Sequence, residues 1–142
     1  MLLLELISTL DWEWDGSYEE GEISASFTIP SEDGDKTYSV IFINEPEDEE
    51  HVWDVEFTLV GSATPIGLTG TGHARTVFAA VIQIVKEFIE SEAPAGLVFS
   101  ASEPQRFKLY SRLLRMLQDA YGAHIHEEPD DVVGGRKYIA RL

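Results

Sequence analysis

Apolar and polar residues alternate through three segments in the first half of the chain, and an apolar stripe of helical period runs through two segments in the second. "EISASFTIP" (Glu22–Pro30) alternates as a half-buried strand does, and Pro30 ends it. "SEDGDK" is a turn cluster with Gly34 available for a positive φ. "KTYSVIFINE" (Lys36–Glu45) follows as a β-branched and aromatic strand. In "HVWDVEFTLV" (His51–Val60), Trp53, Val55, Phe57 and Leu59 share one face while Asp54, Glu56 and Thr58 share the other. Short turn-like connections make these three an antiparallel meander.

The period then changes. From His73 to about Ser91, Val77, Val81, Ile84, Val85 and Phe88 repeat at helical spacing, and Phe78, Ile82 and Ile89 widen the stripe, which predicts a mostly buried helix. "APAGLVFSAS" (Ala93–Ser102) contains a short apolar strand, Leu97–Ser100. Pro104 suits the first turn of a second helix with Ser102 as its N-cap. That helix carries Phe107, Tyr110, Leu114, Leu117 and Tyr121 on one stripe and stops at Gly122. "AHIHEE" and "GGRKYIARL" read as two closing strands. Residues 1–10, "MLLLELISTL", hold an apolar run too short to separate strand from helix. The order predicts an α+β fold: one domain over residues 1–142, with a single mostly antiparallel sheet and a strand–helix–strand–helix–strand second half.

Composition narrows the class. With 142 residues, 44% of them hydrophobic and 25% charged, the chain has the make-up of a globular domain with a real core. The leading leucines resemble a signal peptide, but no basic segment precedes them, Glu5 interrupts them and no small-residue cleavage site follows. No stretch is long enough to span a membrane. There is no cysteine, hence no disulfide, thiolate ligand or thiol nucleophile. A cytoplasmic protein is the simplest expectation.

Charge adds a partner class. Acidic residues number 26 against 10 basic, a formal net charge of −16. Such a field repels nucleic acid and anionic membrane and attracts basic proteins or cationic small molecules. "DWEWDGSYEEGE" (Asp11–Glu22), "EPEDEE" (Glu45–Glu50) and "EEPDD" (Glu127–Asp131) carry much of it, either as solubilising loops or as a surface that docks a basic groove. Trp12, Trp14 and Tyr18 in the first of these either form an aromatic-acidic docking segment or fold over the sheet.

Four features are candidates for chemistry. "GLTGTGHARTVF" (Gly67–Phe78) leads with glycines into the first helix, either as a strand-to-helix turn or as a backbone that lets an anion approach a helix N-terminus. His73 and Arg75 stand at that start, where a cation is unfavourable by a few tenths of a kcal/mol, which points to a bound anion. A dinucleotide fingerprint would need glycine at Arg75, and a P-loop would need Gly-Lys-Ser/Thr. Arg106, Lys108, Arg112 and Arg115 put four positive charges on the second helix, as balance for acidic loops or as phosphate contacts. His124 and His126 share a strand face with Glu128, a pair too small to define a metal site.

The meander, the Gly-rich lead-in, and the strand, tyrosine-bearing helix and two strands that follow resemble the GNAT acyltransferase fold over roughly residues 22–142. The family's pyrophosphate loop has the form Q/R-x-x-G-x-G/A, which Gly70 and Gly72 match, while Gly67 stands where Gln or Arg is usual. In "EPQRFKLYSRLL", Leu109-Tyr110 matches the end of the family's N-x-x-A-x-x-L-Y, with Glu103 and Arg106 at its first two defined positions. The resemblance implies acyl transfer from acetyl-coenzyme A, or another acyl-coenzyme A, to a cationic amine. Gly70, Gly72, His73 and Arg75 would hold the cofactor, Glu56 or a water would accept the amine proton and Tyr110 would protonate the thiolate. The chain also resembles small phage-encoded proteins with GNAT-like signatures, which would place it in the host cytoplasm. The competing expectation keeps the fold without the chemistry: an acidic phage-type interaction protein that binds a host factor, imitates nucleic acid or joins an assembly.

Overall fold

A computed structural model describes residues 12–15, 21–30, 34–44, 51–59, 74–101, 104–130 and 135–142. Seven strands and two helices occur in the order β1 (Trp12–Trp14), β2 (Glu22–Ile29), β3 (Lys36–Ile43), β4 (Val52–Leu59), α1 (Ala74–Glu92), β5 (Gly96–Ala101), α2 (Pro104–Tyr121), β6 (His124–Asp130) and β7 (Gly135–Arg141). The strands form one mixed, mostly antiparallel sheet in the order β1-β2-β3-β4-β5-β7-β6. β4 and β5 are parallel, as the intervening helix requires, whereas β1–β2, β5–β7 and β6–β7 are antiparallel. The chain divides into two compact units, Met1–Ile41 with Phe57–Ser91 and Phe42–Glu56 with Glu92–Leu142.

The first unit is built on aromatic rings and an aliphatic helix. Tyr38 of β3 stacks on Phe27 of β2 at 5.3 Å and on Phe57 of β4 at 6.0 Å, the planes inclined by 17° and 11°. These rings lie on the buried face with Ala25, Ile29 and Val40, as period-2 alternation demands. The opposite face is hydroxyl-rich: Thr28 and Thr37 share a hydrogen bond of 2.9 Å between their hydroxyls. In α1, Val77, Val81, Ile84, Val85 and Phe88 are all buried, the stripe expected from their spacing, and Ala80 joins them. Burial of a stripe this wide, at about 1.5–3 kcal/mol per large aliphatic or aromatic side chain, outweighs the modest helix propensity of its valines and isoleucines.

β1 lies within the acidic segment that sequence treats as a loop. Trp12 and Trp14 pair with Phe27 and Ala25, so they share the apolar face, half-buried and in edge-to-face contact at 5.3 Å. They belong to the sheet itself, as residues of its edge strand. Asp15 fastens the end of the strand: its backbone N–H donates to the Ser24 carbonyl at 2.9 Å, and its carboxylate accepts from the Ser24 hydroxyl and, at 2.7 Å, from the Ser26 hydroxyl.

The second unit has a leucine-rich core. Leu97 and Phe99 of β5, Val55 of β4, Ala140 of β7 and Leu109, Tyr110, Leu113, Leu114 and Leu117 of α2 are buried. Tyr110 meets Phe99 at 5.4 Å between ring centroids. Leu109 and Leu113 extend the helical stripe by an i, i+4 pair on its flank. Gly122 at φ 66° ends α2, with its N–H on the Gln118 carbonyl at 3.0 Å, the bond of an αL cap, and the Ala123 N–H on the Leu117 carbonyl at 3.2 Å. Ala93 closes α1 in the same left-handed region, φ 47°, without a glycine's freedom. Gly96 sits at a close approach: a Cβ there would meet the Ala140 carbonyl oxygen at 3.2 Å, so β7 would have to give by a few tenths of an ångström.

β6 is longer than expected from sequence, running through Pro129 to Asp130. It is a terminal strand of the sheet and pairs only with β7, so the proline's missing N–H is tolerated there.

Candidate functional site

The register of the second unit fixes which side chains share a face. One row across the sheet is Val52, Gly96, Arg141 and His124, and the next row on that face is Asp54, Val98, Ile139 and His126. Ser100, Lys137 and Glu128 continue it, and Glu56, two residues beyond Asp54 on β4, belongs to the same face. The other face carries Trp53, Leu97, Ala140 and Ile125, then Val55, Phe99, Tyr138 and Glu127. Phe99 meets Tyr110 there, so α2 packs on that side.

Glu56 and Tyr110 therefore belong to one unit but to opposite sides of its sheet. Glu56 is exposed; Tyr110 is 1% exposed. What relates them is where the strands stop pairing. Among the described residues, the β4–β5 register runs from Val52↔Gly96 to Val55↔Phe99 and no farther, although both strands continue. Glu56 is the first residue of β4 past that end, and Tyr110 is packed against Phe99, the last residue of β5 paired with β4. Past Val55↔Phe99 the β4–β5 pairing ends while β5 stays paired with β7 through Ala101, and the carboxyl ends of parallel strands are the usual place for ligands in sheets with helical crossovers.

Arg75 is exposed in the first turn of α1, in the other unit. Gly67, Gly70, Gly72 and His73 lie outside the described residues, as do Glu103 and Tyr18. Neither helix has an acid in its first turn or a base in its last. Instead α1 starts with Arg75 and ends with Glu90 and Glu92, and α2 starts with Arg106 and ends near Asp119. This is the reverse of what a helix dipole favours and leaves both N-terminal turns positive. Arg112 and Arg115 are exposed farther along α2; the side chains of Arg106 and Lys108 lie outside the described ones.

Ion pairs gather on the β6–β7 hairpin. Glu127 meets Arg136 at 3.2 Å, and Glu128 meets both His126 at 3.3 Å and Lys137 at 3.7 Å. Burial raises the Tyr138 phenol above its ordinary pKa, the neighbouring Glu127 carboxylate adds to that, and Arg136 opposes it. His124 and His126 share their strand face as expected, and His126 uses its ring on Glu128. Among the described residues no group of three or more His, Cys, Asp or Glu side chains is placed to hold a metal ion. Sequence reading missed Lys137 and Ser100. Their signal is cross-strand, since each becomes notable only once β5 and β7 are known to be neighbours.

No protein-family model matches the chain, and no curated protein matches it in sequence. No helix among the described residues is long and apolar enough to cross a membrane.

Proposed function

We propose that the chain is a GNAT-like N-acyltransferase domain that moves an acyl group from acyl-coenzyme A to a cationic amine. The observation that carries this reading is the end of the parallel β4–β5 ladder at Val55↔Phe99, with a solvent-facing carboxylate, Glu56, as the next residue on one strand. A thioester lying past that end would have Glu56 to accept a proton from the attacking amine. Tyr110, held against Phe99, would be the group on the other side with a phenolic proton for the departing sulfur. In the first unit, taken by itself, the start of α1 carries Arg75 and no acid, which suits an anion such as a pyrophosphate, and Gly70, Gly72 and His73 precede it in sequence. A net charge of −16 favours a cationic acceptor, a polyamine or a lysine side chain, over an anionic one.

Thermal unfolding with and without acetyl-coenzyme A tests the reading. A ligand that binds only the native state stabilises it by about 2.7 kcal/mol at a hundredfold excess over its Kd. That shift raises the midpoint by several degrees, about 4–8 °C per kcal/mol for a small domain and less for a larger one. An unchanged midpoint at millimolar cofactor overturns it.

The charge also favours a second reading, an acidic interaction protein with the same fold and no turnover, and Gly67 and Glu103 depart from the family pattern in its direction. Capture by a basic protein that weakens steeply with added salt, alongside no response to acetyl-coenzyme A, is the result that selects it.

A further inference from the structure

β6 (His124–Asp130) ends the sheet: among the described residues it pairs with β7 and with no other strand. Its outer side therefore presents a row of backbone N–H and C=O groups, a template on which another strand can pair. Such edges are commonly blunted by shortness, lysine or proline. β1, at the other end of the sheet, is three residues long. β6 has seven residues and no lysine, and Pro129 stands next to its last residue. Side chains along it are open as well: that of His126 is 65% exposed and that of Glu127 47%.

The order of residues along β6 selects its partner. Two copies paired antiparallel about a two-fold axis normal to the sheet keep each face on its own side, so the axis passes at a residue. With the axis at Glu127, His126 of each copy falls opposite Glu128 of the other. Ile125 falls opposite Pro129, apolar on apolar, and backbone pairing can run out to His124 and Asp130. Glu127 alone meets its like, and each copy of it is held by its own Arg136 at 3.2 Å. An axis at His126 would set Ile125 against Glu127, and one at Glu128 would set that acid against itself. Within one chain, Nε2 of His126 already reaches Oε2 of Glu128 at 3.3 Å. Directly opposed residues stand closer, about 4.5–5.5 Å between Cβ atoms, than the roughly 6.6 Å between i and i+2 along a strand. The same two groups can therefore pair across the axis while Oε1 of Glu128 stays with Lys137 at 3.7 Å.

We infer that β6 is the interface of a symmetric dimer, its partner the β6 of a second copy of this chain, in register about Glu127. This pairing is independent of the acyltransferase reading. Each copy's β6 edge is used up in the pair, so association through it closes at two copies instead of growing into a filament. The net charge of −16 on each copy opposes the approach, so added salt tightens the dimer.

The test is sedimentation equilibrium of the full chain from micromolar to millimolar concentration, with circular dichroism to show that each variant keeps the native fold. The expected result is a monomer–dimer equilibrium with no larger species. His126→Glu sets acid opposite acid at two symmetric places and should weaken the dimer at least about tenfold. Adding Glu128→His to that variant restores opposite partners and should recover most of the loss. Glu127→Gln removes the central repulsion and should tighten the dimer, whereas Glu128→Gln, which takes the same charge from the chain, should loosen it. A chain that stays monomeric throughout overturns the inference. So does a dimer unmoved by His126→Glu, one not recovered by the double substitution, or one that Glu127→Gln and Glu128→Gln shift in the same direction.

Discussion

The two compact units stabilise their sheets by different chemistry. In the first, a three-ring stack of Phe27, Tyr38 and Phe57 occupies one face, and the described contacts of the other are neutral hydroxyls and the Asp15 clasp. In the second, Phe99 and Tyr110 sit among leucines on one face, and the edge carries three ion pairs on a single hairpin. The same division appears in the titrating groups. Tyr38 has its pKa raised by burial alone, whereas Tyr138 is raised by burial and by Glu127 and lowered by Arg136. Ring packing is indifferent to salt, while exposed pairs are screened and worth little in stability. Exposed charges of this kind contribute little to folding, and Glu56 lies in the same unit as the hairpin.

The comparison breaks first at Tyr38. Replacing it with alanine removes the middle ring of the stack and should destabilise the protein by about 3–5 kcal/mol, equally at low and high salt, in urea unfolding. A loss under 1 kcal/mol would mean the stack is not what holds that unit. Next in size is Gly96→Ala, in the unit with the ion pairs. Its Cβ would press on the Ala140 carbonyl oxygen at 3.2 Å, a backbone atom of the β5–β7 ladder that yields little. We expect a cost of about 1–3 kcal/mol; a neutral outcome would show that β7 shifts freely.

Alkaline pH probes the ring stack of the first unit at lower amplitude. Because the folded-state pKa of Tyr38 lies above its ordinary value of 10.0, the unfolded chain ionises first. Its contribution is fully present below pH 10 and is lost as pH rises towards the folded-state pKa. Tyr38→Phe should therefore flatten the fall of the thermal midpoint above pH 10, and an unchanged slope would contradict the assignment. The smallest effect is expected at Glu128→Gln. Removing an exposed carboxylate shared by His126 and Lys137 should change stability by no more than about 1 kcal/mol, with the difference shrinking in high salt. A larger, salt-insensitive loss would make the hairpin's charges structural.

Much of this architecture is legible in the residues. The stripe of α1 was readable because five positions repeat at one period and nothing interrupts them. The alternation of β4 identified Val55 and Phe57 as buried and Glu56 as outward. β1 was not readable: three residues among acids carry no periodicity, and only pairing with β2 and the Asp15 clasp make them a strand. Pro129 hid the last turn of alternation in β6, since its tolerance depends on β6 lying at the sheet's edge. The candidate site was readable as residue types but not as places. That Glu56 and Tyr110 lie on opposite sides of one sheet follows from the Val55↔Phe99 register, which joins residues more than forty positions apart. The glycine lead-in, Gly70 and Gly72, lies outside the described residues and keeps the meaning its sequence gives it.

The central claim is that Glu56, at the end of the β4–β5 ladder, serves acyl transfer. Release of coenzyme A thiol from acetyl-coenzyme A, followed with a polyamine as acceptor, tests it most directly in the wild-type chain and in Glu56→Gln. The account predicts amine-dependent release that falls by about 10²–10⁴-fold in the variant, with the variant's thermal shift by the cofactor unchanged. Release no faster than in buffer, or equal in both proteins, would contradict it.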